Sequence, residues 1–155
     1  MIRLTSGMKH FFLILCTSLL IVNSATAQET NPWLSLAMVQ KESHFDEMMG
    51  MEITEAIPMI PAQKLDGTEI TLNGYMIALS AKTTAESHFM FSRYPQNMCF
   101  FCGAAGPESA MQVFMKDGTK IKHSKDKVKV KGTLQIQKND ASGLIYFLLD
   151  AVLID

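Results

Sequence analysis

The chain has 155 residues, 48% of them hydrophobic and 19% charged, with a formal net charge of −1 at pH 7. That size suits one domain with a modest core. The absence of a basic excess argues against a polyanion binder.

The N-terminus reads as an export signal. Arg3, Lys9 and His10 precede an apolar run from Phe11 to Val22, and Ala25-Thr26-Ala27 is a small-x-small cleavage site with Gln28 as the new terminus. The apolar core is too short to span a bilayer stably, so residues 1–27 are expected to be a cleavable signal peptide and the mature chain periplasmic or otherwise exported. Cys16 lies inside the apolar run and follows Leu15, where a lipidated cysteine needs a small residue; lipidation is rejected. Cleavage removes two of the 14 basic residues and none of the 15 acidic ones, leaving a net charge of −3. No later apolar stretch is long enough for a transmembrane helix. Cys99 and Cys102 then remain, in an oxidising compartment.

Residues 28–62 are expected to form an N-terminal extension. Pro32 to Val39 fits a strand or a short helix, and Pro58 and Pro61 interrupt whatever precedes them. Met48-Met49-Gly50-Met51 suggests a copper site but is read as flexible apolar filler.

Residues 63–155 carry the fold. After an Asp66-Gly67 turn, Ile70, Leu72, Met76 and Ala78 keep one phase across residues 69–79, with Gly74 placed for a bulge or sharp bend. Further strands are expected at 88–93 and 111–115, followed by an Asp117-Gly118 turn. Val128, Val130, Leu134 and Ile136 alternate with Lys127, Lys129, Lys131 and Gln135, as in a sheet wet on one face. After Asn139-Asp140 and Ser142-Gly143, the apolar run from Leu144 to Ile154 reads as a buried closing strand. Five such strands, the first bent at glycine, predict an all-β domain and a small OB-like five-stranded barrel.

Seven lysines crowd residues 116–131, opposed by Asp117 and Asp126. A single-strand nucleic-acid surface would need aromatic residues among the charges, and none lies between Phe114 and Tyr146. No nucleic-acid partner is expected; the lysines read as a solvated face that discourages edge-to-edge strand pairing.

The chemistry concentrates in Cys99-Phe100-Phe101-Cys102-Gly103-Ala104-Ala105-Gly106-Pro107-Glu108-Ser109. Gly103 and Gly106 let the loop bend, and Pro107 stiffens its exit. Three chemistries use this spacing. A structural disulfide suits the compartment, although so small a loop yields little entropy. A zinc or copper ion would find two thiolates in a knuckle-like bend, with His88, Glu108, His44, His123 or a second protomer completing the shell. Thiol–disulfide exchange would want the first cysteine at a helix N-terminus, and Gly103 to Pro107 is a poor helix start. Pro107-Glu108-Ser109 reads as a turn that ties down backbone groups, since no base and acid at suitable spacing would activate Ser109. Phe100 and Phe101 read as ordinary core packing. No catalytic set is identified.

The strings at 65–75, 99–109 and 128–134 resemble a group of exported proteins from Bacteroidetes-type bacteria. That group is similar to a wider family of OB-like envelope proteins of unknown function. The resemblance spans about residues 33–155, and its most specific part is the cysteine string. It implies an OB-like fold and a periplasmic or surface address, without an activity. Ala78 departs from the proline that similar proteins tend to carry there. The expected function is therefore a non-enzymatic envelope accessory or binding protein. Its partner would be a metal ion or an envelope protein, and a homodimer is one way to complete the metal shell. The alternatives are a thiol–disulfide redox protein and a disulfide-bearing structural module.

Overall fold

Alternation of apolar and polar residues in the C-terminal part of the chain becomes a closed sheet. The computed structural model describes residues 31–48, 50–77, 85–137 and 143–154. The leader, Met49, Ala78, Asn139, Asp140 and Ser142 lie outside the described residues.

In chain order the elements are α1 (Pro32–Leu36), β1 (Val39–Asp46), β2 (Met51–Pro58), α2 (Ile60–Gln63) and β3 (Glu69–Ile77). They are followed by β4 (Ala85–Glu86), β5 (His88–Ser92), β6 (Ala110–Met115), β7 (Ile121–Lys122), β8 (Val128–Ile136) and β9 (Tyr146–Ile154). Strands β3, β5, β6, β9 and β8 close a barrel in that order. Every pair is antiparallel except β6 with β9. The first barrel strand thus closes on the fourth, and the third runs parallel to the fifth, the OB arrangement.

Register explains the closure. Strand β3 pairs with β8 from Glu69 to Gly74 and with β5 from Tyr75 to Ile77. Gly74 is where the strand changes partner, and a Cβ there would lie 2.5 Å from the Ser92 carbonyl oxygen and 2.7 Å from the Phe91 ring. The bulge itself is in β9. Two steps of β8, Lys131 to Thr133, face three of β9, Val152 to Leu149, and β6 meets the same extra residue. Asp150 in this bulge takes φ 51°, a left-handed conformation that aspartate tolerates better than most residues. Opposite it, a Cβ on Gly132 would stand 2.7 Å from the Leu149 carbonyl oxygen.

The interior is filled by Ile70, Leu72, Phe89, Phe91, Val113, Val130, Leu134 and Leu148. Helix α1 adds Trp33 and Leu36 to this cluster. Asn31 Oδ1 caps it by accepting from the Trp33 amide at 3.2 Å, and Pro32 opens its first turn. The Trp33 indole donates to the Asn73 carbonyl at 2.9 Å and its ring stacks on Phe91. The Tyr146 hydroxyl donates to the Leu36 carbonyl at 2.8 Å. Segment 31–62 is therefore tied to the barrel through its first turn. Its β1–β2 hairpin is largely exposed, including Phe45 and Met48.

Strand β8 corrects one expectation. It pairs with β3 on one side and β9 on the other, so its lysines guard no sheet edge. Instead Lys131 forms an ion pair with Glu69 on the neighbouring strand, and the Lys127 ammonium lies 5.5 Å from the Tyr75 ring centroid. The β4–β7 ribbon, formed from segments before β5 and before β8, was not expected from the alternation.

Candidate functional site

The loop between β5 and β6 folds as three 3₁₀ turns, Gln96–Met98, Phe100–Cys102 and Pro107–Ser109. Cys99 is extended between the first two. The second turn is tight: the Cys102 amide donates to the Cys99 carbonyl at 3.1 Å, and the Gly103 amide to Phe100 at 2.9 Å. Gly103 ends it at φ 72°, a backbone region open to glycine without penalty.

This geometry folds the fourth residue of the motif back over the first. The Cys99 and Cys102 sulfurs are 4.0 Å apart, and both thiols donate to the Gln96 carbonyl oxygen, at 3.1 Å and 2.7 Å. Both cysteines are free thiols, since a bridge needs sulfurs at about 2.05 Å. An ion held by both at about 2.3 Å would subtend an S–metal–S angle of about 120° at this separation, within reach of tetrahedral or trigonal coordination.

The two cysteines sit in different surroundings. Cys99 is 0% exposed, in a second apolar cluster with Ile77, Met90, Ala110 and Leu144, against which Tyr75 and Phe100 pack. This cluster is separate from the barrel interior, so the loop is anchored by its own apolar contacts. Cys102 is exposed. Its thiol is pushed up from the ordinary range by desolvation, then by the hydrogen bond with Cys99 and by the repulsion a Cys99 thiolate would exert. Phe100 packs on the second cluster, whereas Phe101 is 41% exposed and lies nearly perpendicular to the Phe100 ring, so core packing holds for the first ring and not the second.

The exit of the loop is structural. The Ser109 hydroxyl donates to the Gly106 carbonyl at 2.7 Å, the Ser109 amide donates to the same oxygen, and Pro107 opens the turn. Ser109 thus ties down a carbonyl. The Glu108 carboxylate folds back over Gly106, in space a side chain there would fill, and its Oε2 is buried without a hydrogen-bond partner. With Arg93, Tyr94, Met98 and Ser109 it lines a cleft of about 350 Å³ beside the cysteine loop. Its charge, after burial, also raises the Tyr146 hydroxyl above the usual tyrosine range.

The structure does not bring His88 to the sulfurs. His88 Nε2 lies 2.9 Å from Gln112 Oε1, and its ring stacks on Phe114 at 4.1 Å. It opens β5, whereas the cysteine loop follows the other end of that strand. His44 lies on the exposed hairpin, opposite Ile53. Among the described residues, no group of three or more His, Cys, Asp or Glu side chains is placed to hold a metal ion. The centre is a two-sulfur half-site with a carbonyl oxygen between. Gln96 was not singled out from the sequence, because it contributes a backbone atom and its side-chain identity is silent.

Among the described residues no helix is long and apolar enough to cross a membrane. A family model described as "Protein of unknown function (DUF3299)" matches residues 20–151. No curated protein and no solved structure matches the chain.

Proposed function

The chain belongs to the DUF3299 family, and on that footing we propose a non-enzymatic, exported envelope protein that binds a thiophilic transition-metal ion through Cys99 and Cys102. The observation that carries this reading is the convergence of both thiols, 4.0 Å apart, on the Gln96 carbonyl oxygen. Replacing two thiol protons by one cation would turn those donors into ligands with little movement. Soft sulfur ligands select zinc or copper(I) over hard cations. Export rests on the three-part N-terminal pattern ending at Ala27.

Thiol exchange is the weaker reading. An exchange protein benefits from an exposed cysteine whose thiolate is favoured, and the surroundings of Cys102 act in the opposite direction.

The test is an elemental analysis of protein recovered from the periplasmic fraction, with free thiols counted before and after reductant. Zinc or copper bound in proportion to chain, with thiols that react only after chelation, is the expected result. A metal-free protein with a reducible bridge and activity on a disulfide substrate would overturn it.

A further inference from the structure

We propose that the metal centre is completed by a second copy of this chain, so that one zinc ion is held by four thiolates across a twofold axis. This rests on the metal-binding reading of the Cys99–Cys102 loop. A structural zinc takes four ligands, and an isologous dimer doubles any donor set placed at its axis. Each chain supplies two sulfurs, and among the described residues no side chain of the ligating types adds a third donor. Gln96 offers its carbonyl, a hard donor that thiophilic ions rank below sulfur.

The loop suits such an approach. Cys102 is exposed and Cys99 lies buried beneath it, so a second chain would reach the pair from the Cys102 side. Met98 and Phe101, 54% and 41% exposed, place apolar surface beside it. From Tyr94 to Pro107 there is no charged side chain, so two loops meet without like charges opposed. The chemistry balances as one zinc dication and four thiols giving a tetrathiolate complex of charge −2 and four protons released to solvent. Binding therefore tightens as pH rises.

Reduced, chelator-treated protein is titrated with zinc chloride while its mass is followed by size-exclusion chromatography with light scattering. Uptake should end at half an equivalent per chain, the mass should double, and chelator should restore the monomer. Cys102→Ser, a change at an exposed position, should remain monomeric at every zinc level. One ion per chain at monomer mass would overturn the shared site while leaving metal binding standing. No uptake would sink both, and a dimer that persists in chelator would overturn the metal-bridged assembly.

Discussion

Cys99 and Cys102 share a carbonyl but not an environment, and the difference divides their work. Cys99 packs in hydrocarbon and anchors the loop, whereas Cys102 is exposed. Because its thiol is pushed up, Cys102 should alkylate slowly at neutral pH, its rate rising at higher pH than that of a free cysteine. Iodoacetamide rates measured across pH check this, and a profile displaced below the ordinary thiol range would contradict it. Tyr146 offers a second check. Its hydroxyl is buried and donates to Leu36, so Tyr146→Phe should cost about 1 kcal/mol in urea unfolding. Its raised pKa means this contribution is complete below the ordinary tyrosine value of 10.0 and fades as pH climbs above it. Spacing alone made the cysteine pair legible, since two sulfurs three residues apart can converge in any tight turn. His88 opens β5 at the end away from the cysteine loop, so continuity of the strand does not bring it near the sulfurs. Four steps of extended chain separate it from Ser92, about 13 Å.

Strands β3 and β8 were readable because they bury alternate residues, whereas β5, β6 and the start of β9 are buried in consecutive runs and show as short apolar stretches. Strand β8 shows the alternation directly: Val130 is fully buried while Lys129 is half-exposed. Val130→Asp should abolish cooperative unfolding, having placed an unpaired carboxylate in the interior at a cost of several kcal/mol. Lys129→Asp should leave the thermal midpoint nearly unchanged; equal damage from both would contradict the register. The bulge in β9 was not readable, because one extra residue changes no composition. Asp150 and Gly132 mark it only once paired. Gly132→Val should destabilise by roughly 1–3 kcal/mol, since the new side chain would press on the Leu149 carbonyl. Wild-type stability in that variant, by denaturant titration, would show that the two backbones are further apart. The β1–β2 hairpin was not readable for a different reason: six of eight residues of β1 and four of eight of β2 are exposed, so burial imposes little alternation on their sequence.

Taken together, β3, β5, β6, β9 and β8 close on one another, and the proposed metal site lies in the excursion between β5 and β6. That excursion docks Cys99 and Phe100 on an apolar cluster built from Ile77, Met90, Ala110 and Leu144, while Cys102 stays exposed. If the leader is cleaved as proposed, N-terminal sequencing of the protein should begin at Gln28, and a chain still beginning at Met1 would contradict the cleavage. The pairing of sulfurs is tested most directly by X-ray absorption at the zinc edge, on reduced protein loaded with zinc and washed of excess. A sulfur shell at about 2.3 Å, lost in Cys99→Ser and Cys102→Ser alike, is the result expected. A first shell of nitrogen and oxygen alone, or a sulfur shell that survives either substitution, would contradict it.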